Sequence, residues 1–335
     1  MADGELEPDC EAGCAPPREI DALVGHADAV NEFETLYRDG RLHHAWMITG
    51  PKGVGKASLA YLLAGQMLAG DAGDDAARQK IRAQAHPNLL TIRRPWDDKR
   101  KRWKGEITID EIRRVPDFFS RSAGEAGWRI AIIDSMDELN NNASNALLKT
   151  LEEPPEKGLL FLLTHSPGRL LPTIRSRCRR LDLRPPARAE CLDWLVEQHG
   201  IAASDAEPAL EMAEGAPGRA LALARAGAIG IEQDIAGLFG RLPQWDAKLS
   251  RRLSAKVSSK AGESLRPHFY ATLTRQTANR ARVAAAEGRS PDPWLDAWRQ
   301  LKGLAREADA IYLDPKQAAL AALAQIEHAA REANR

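Results

Sequence analysis

The sequence predicts an α/β domain built on a parallel sheet, followed by an all-α half. Three observations carry this. Short apolar runs at 45–49, 130–134 and 159–164 each end in a turn or polar residue, which is how strands buried on both faces read. Helix-like segments at 59–68 and 143–151 lie between them, and such alternation argues for parallel strands joined by crossover helices. Beyond Pro185-Pro186 no strand-like run remains, and the chain turns Ala-, Leu- and Arg-rich.

Taken in order, residues 1–17 are acidic, small and Pro-containing, and are expected to form a disordered leader. The sheet domain is expected over 18–186, a small helical lid domain over 187–233, and a helical bundle for oligomerisation over 234–335. In the small domain, 189–199 reads as a helix closed by Gly200, with further helices at 209–213 and 218–226. In the bundle, Asp314, Pro315 and Gln317 read as N-cap, N1 and N3 of a helix, with Leu320, Leu323 and Ile326 expected on one face. Trp294, Trp298 and Leu301 also share a helical face. Core packing and a subunit interface both explain that face.

Composition narrows the function classes. The 335 residues carry 28% charged side chains and a formal net charge of zero, so the chain as a whole is no electrostatic magnet for DNA. No apolar run reaches membrane-spanning length, and no secretory signal pattern opens the chain. Cys10, Cys14, Cys178 and Cys191 form no small-domain disulfide framework, which fits a reducing cytoplasm. Cys10 and Cys14 have the spacing of half a metal site, but no second pair follows at zinc-finger distance. We read them as part of the solvated leader and expect no zinc.

The sharpest motif is GPKGVGK at 50–56, which fits G-x-x-x-x-G-K between a strand-like and a helix-like run. Gly50, Gly53 and Gly55 let backbone N–H groups turn inward around phosphates, the helix N-terminus adds partial positive charge, and Lys56 reaches the β and γ phosphates. The next position, where a hydroxyl ligates Mg²⁺, holds Ala57. Ser58 follows, rotated by about 100° on a helix. Asp134 closes the second strand as a metal-side aspartate. The position after it holds Ser135, where an ATPase of this kind places a water-activating Glu. Asp137 and Glu138 stand at the wrong offset for that role and read as helix-entry charges. The pattern implies weak ATP binding, Mg²⁺ only with nucleotide, and slow or absent hydrolysis.

Two further strings, NALLKTLEEPP at 145–155 and TIRSRC at 173–178, resemble together the AAA+ clamp-loader ATPase family. The resemblance spans about residues 20–225. Val24-Gly25-His26 is similar to the family's adenine-side segment, and GAPGRA at 215–220 to its sensor-2 region, which implies a sensor-2 role for Arg219. Taken by itself, Arg219 reads equally well as a helix-surface charge. Thr164 falls at the sensor-1 position. The resemblance implies a three-domain subunit of a five-membered ring that opens a sliding clamp and places it on primed DNA, with delta and tau/gamma subunits as partners. By matching position Arg177 is the arginine inserted into the neighbouring subunit's ATP site, where a guanidinium offsets charge developing in phosphoryl transfer. Without the SRC context, Arg177 would read as a surface ion-pair residue.

Ala57, Ser135 and the lack of cysteine between 57 and 133 point to the delta-prime branch rather than to tau/gamma. The four-cysteine zinc module of the family is absent. In its place stands RRPWDDKRKRWK at 93–104. Basic residues interleaved with Trp can bind nucleic acid, and the plainer reading is a solvated hairpin with Trp at its base. The alternative function is an active tau/gamma-like motor subunit; a helicase-loader ATPase of the same superfamily fits the SRC and NALLKTLEEPP strings poorly.

Overall fold

The computed structural model describes residues 7–11, 13–69, 75–120, 127–259, 262–310 and 314–334. Seven strands are present among them: β1 (Ala45–Thr49), β2 (Leu89–Ile92), β3 (Trp96–Asp97), β4 (Arg102–Trp103), β5 (Arg129–Asp134), β6 (Gly158–Thr164) and β7 (Arg179–Asp182). Five of them form one parallel sheet in the order β2-β5-β6-β1-β7, and β3 and β4 form a separate antiparallel hairpin. This is the fold class expected.

The three apolar runs are the three central strands, and their burial explains their composition. Alternate residues of β1 enter two different cores. Trp46 and Ile48 pack with Phe33 and Phe161 on one face of the sheet, while Ala45 and Met47 pack with Ile112 and Leu147 on the other. A strand covered on both faces has little room for polar side chains, and in β1 the one polar residue, Thr49, stands at its end. The flanking strands β2 and β7 were not expected. In β7 only Leu181 is buried, so its strand conformation comes from pairing with β1 and not from its own pattern.

The helices of the sheet region are α1 (Ala27–Arg38), α2 (Lys56–Ala69), α3 (Asp75–Arg82), α4 (Ile109–Ser120), α5 (Asn141–Glu152) and the short α6 (Pro172–Arg175). After the sheet come α7 (Arg188–Asp193), α8 (Ala203–Met212) and α9 (Pro217–Ala226). The helix expected over 189–199 is α7 continued by one π turn, Trp194–Gln198.

The chain divides into two compact units, Met1–Leu221 and Ala222–Arg335. This boundary falls inside the small helical domain expected over 187–233 and coincides with neither of the expected boundaries. The second unit holds α10 (Ala228–Gly240), α11 (Ala247–Ser258), α12 (Arg266–Ala286), α13 (Asp292–Ala310) and α14 (Pro315–Glu332). There α12 packs on α10 and α13, and α14 on α13 and α11. Asp314 caps α14 as expected, its carboxylate accepting from the backbone N–H groups of Lys316 and Gln317, both at 2.9 Å. Leu323 and Ile326 are fully buried, but Leu320 is exposed. The buried stripe of α14 runs instead through Ala318, Ala319, Ala322, Leu323, Ile326 and Ala330. Trp294 and Leu301 are buried in this unit's core, while Trp298 is half-buried beneath the Lys302 ammonium, 4.4 Å from the ring centroid.

Candidate nucleotide site

The sheet register brings the motifs to one edge. Thr49 pairs with Thr164 and Asp134 with Leu163, so β1, β6 and β5 end level with each other. Ligands of open α/β sheets bind at this carboxyl edge. The 50–55 loop leaves β1 here and α2 begins at Lys56. Gly53 shows why this loop needs glycine. It sits at φ +78°, and a Cβ would lie 2.5 Å from the Arg219 backbone nitrogen. The Gly218 N–H donates to the Gly53 carbonyl at 2.9 Å, so the start of α9 rests directly on the loop. On the other side the His26 ring meets the Val54 carbonyl at 2.9 Å.

Lys56 is buried, and its ammonium donates to the Gly50 and Pro51 carbonyls, each at 2.8 Å. Burial pulls its pKa down to about 8 against the opposing pull of Asp134. Asp134 at the end of β5 is pushed up to about 7, first by burial and then by the charge of Asp9, with Lys56 acting the other way. Its carboxyl is therefore only partly ionised near neutrality, which weakens it as a metal ligand.

Thr164 is fully buried, and its hydroxyl accepts from the Ser166 N–H at 3.1 Å. The site residue missed in the sequence is its neighbour His165, which lines the same cavity. Burial and then the nearby Lys56 lower its pKa to about 4, so it stays neutral. Asp137 was read as a helix-entry charge. Its carboxylate in fact accepts from the His165 and Ser166 N–H groups at 2.7 and 3.0 Å, pinning the turn after β6. Glu138 pairs with Arg94 at 3.2 Å.

The cavity at this edge measures about 170 Å³. Its lining combines the loop residues 52–58 with Asp134 and His165, and the apolar side chains of Ile20, Leu23, Val24, Trp194 and Leu221. Such a mixture suits a phosphate chain and a base. Loop glycines with buried Lys56 fit phosphates. The metal side fits less well, because Ala57 brings a methyl group where a hydroxyl is needed and Ser135 is buried beside Asp134. Ser58 also lines the cavity. Gly25, at φ +68° against Pro186, shapes the turn that carries Val24. Arg219 is exposed and is not among the lining residues. Arg177 likewise lies outside the cavity: it pairs with Glu152 at 2.8 Å and donates to the Thr173 carbonyl at 3.0 Å.

Of the leader expected over 1–17, residues 1–6 and 12 lie outside the described residues, and the rest is not the free tail that its composition suggested. Residues 8–11, 14, 15 and 17 line the cavity, and Cys10 is buried. The Arg93 guanidinium bonds both the Glu7 and Asp9 carboxylates, at 2.7 and 2.8 Å, and Arg18 forks onto Glu7. The Cys10 and Cys14 thiols make different contacts. The Cys10 thiol points to Asp9, while that of Cys14 donates to the Gly218 carbonyl at 3.4 Å. Glu7, Asp9 and Cys10 group their donor atoms within 4.8 Å, but both carboxylates are already engaged by arginine.

The basic segment forms the β3–β4 hairpin. Trp96 and Trp103 pair edge-on across it at 5.3 Å, and Arg93 lies over Trp103. The hairpin tip, residues 98–102, is exposed. The Trp residues thus sit at the base, as in the plainer of the two readings.

Residues 25–187 match the family model described as "DNA polymerase III, delta subunit". The delta' subunit of DNA polymerase III from Pseudomonas aeruginosa is 36% identical over 159 residues, covering 46% of this chain and 47% of that protein. The delta' subunit from Escherichia coli is 34% identical over 201 residues, covering 57% and 58%. Over this segment the chain is similar to delta-prime subunits of clamp loaders. The chain spans about half the length of these two relatives. A gamma subunit-related protein from Thermotoga maritima overlays 89% of this chain and 99% of its own, at 20% identity and a TM-score of 0.46. No helix among the described residues is long and apolar enough to cross a membrane.

Proposed function

We propose that this chain is a delta-prime-type subunit of a DNA polymerase III clamp loader. It works in a ring with delta and tau/gamma subunits that places a sliding clamp on primer-template DNA. Its own site binds ATP weakly and turns it over slowly or not at all, and Arg177 serves the ATP site of a neighbour. The observation that carries this reading is a phosphate-type loop with Lys56 in place but with Ala57 and Ser135 at the metal and water-activating positions. The similarity of residues 25–187 to delta-type subunits supports the loader assignment. The position of Arg177, outside its own cavity and partly exposed, supports action in trans. Its partner Glu152 is a half-exposed surface carboxylate that a phosphate could replace at small cost.

The test is a pair of substitutions in the reconstituted loader. Arg177→Ala should lower ATP turnover clearly while leaving assembly intact. The loss is bounded by the arginine-finger range of ~10³–10⁵, because other subunits fill the remaining sites. Arg177→Lys should rescue little, since an ammonium lacks the forked geometry. Lys56→Ala should leave turnover nearly unchanged. The reverse pattern would make this a motor subunit using its own loop, a reading favoured only by Ser58 lining the cavity.

A further inference from the structure

From the packing of residues 8–11, 14 and 15 beside the loop, we infer that this acidic segment is an intramolecular plug, seated in the nucleotide cavity in competition with nucleotide. This rests on the reading of that cavity as a nucleotide site. Three independent features support it.

The first is charge. A nucleotide's phosphate chain is a compact polyanion, and the segment offers Glu7, Asp9 and Glu11. Of the cations that hold them, Lys52 lines the cavity, and Arg93 and Arg18 lie behind the segment, outside the lining. Arg93 holds Glu7 and Asp9 together, Arg18 clamps Glu7, and Lys52 of the loop itself stands 3.5 Å from Glu11. Burial would raise the Glu7 carboxyl, but its two arginines outweigh burial and hold it below its ordinary range. Glu7 is therefore held as a carboxylate. The Asp9 side chain is 1% exposed, although a free acidic leader would keep its charge in water.

The second feature is the latch. Cys14 donates to the Gly218 carbonyl, and the Gly218 N–H in turn donates to Gly53. The plug is tied to the start of α9, which itself rests on the loop that would cradle phosphate.

The third is space. The room left with the segment in place, about 170 Å³, is below the ~300–1,000 Å³ of ordinary ligand pockets. Nucleotide entry then requires the segment to leave. Apparent affinity falls by the fraction of molecules in which it is out.

The test uses a fluorescent nucleotide, N-methylanthraniloyl-ADP. It is titrated into the full chain, into Glu7→Gln/Asp9→Asn/Glu11→Gln, and into a chain lacking residues 1–15, each with and without Lys56→Ala. The plug predicts at least tenfold tighter binding in both altered chains, with the gain cancelled by Lys56→Ala. A second measurement needs no substitution: buried Cys10 should be alkylated slowly by iodoacetamide, and faster with saturating ATP. If the altered chains bind no tighter while Lys56→Ala still weakens binding in all, the plug is refuted and the nucleotide site stands. If Lys56→Ala changes binding in none of them, the nucleotide reading fails and the plug with it. Cys10 alkylation unmoved by ATP, in a chain that demonstrably binds it, also refutes the plug.

Discussion

Substituting Gly53 by alanine separates two costs that the loop imposes. The residue sits at φ +78°, and a new Cβ would lie 2.5 Å from the Arg219 nitrogen and 2.6 Å from the Arg219 Cβ. The first contact is with backbone, so no rotamer change relieves it. Gly40 provides the control. It closes α1 at φ +66°, with nothing within 4 Å of its would-be Cβ. Gly40→Ala therefore carries only the left-handed backbone penalty, about 1 kcal/mol. Gly53→Ala carries the same penalty plus an overpacking cost of about 1–3 kcal/mol, giving about 2–4 kcal/mol in all. Urea unfolding followed by fluorescence is a direct assay, because Trp46 is fully buried in the same unit. The midpoint should fall for both variants and clearly further for Gly53→Ala, with the slope unchanged. Equal shifts in the two variants would refute the close packing of α9 on the loop.

Asp134→Asn should stabilise the protein at high pH. The folded carboxyl is raised from 3.8 to about 7, so its contribution is fully present below its unfolded pKa and is lost as pH rises through about 7. Asparagine mimics the protonated form throughout. Its advantage in denaturant midpoint should thus be near zero at pH 4 and largest at pH 8; a constant difference would contradict the burial of Asp134. His165 titrates in the opposite sense, gaining stability as pH rises above about 4, but is present in both proteins and cancels. Leu323→Ala, at 1% exposure in the helical unit, should cost about 2–5 kcal/mol, whereas Leu320→Ala should stay within about 0.5 kcal/mol; thermal unfolding compares them. Asp314→Ala removes the cap of α14 and should cost about 1 kcal/mol, read by the same method.

The sequence alone specified features whose physics is local. The phosphate loop is legible because its work is done by backbone conformation, and glycine spacing encodes that directly. The central strands are legible because burial on both faces confines polar residues to the strand ends, so 45–49, 130–134 and 159–164 announce themselves as apolar runs closed by Thr49, Asp134 and Thr164. The Asp314 cap is legible because its partners lie two and three residues on. Other features depend on partners far along the chain. Strand β7 is a strand because β1 is beside it. Leu320 and Leu323 look alike in sequence, and only the neighbours packed on α14 decide which is buried. The acidic leader reads as disordered because an isolated acidic segment has nothing to bury and no counter-charge. Arg93 supplies that counter-charge from 84 and 86 residues away, a distance that only the tertiary fold closes.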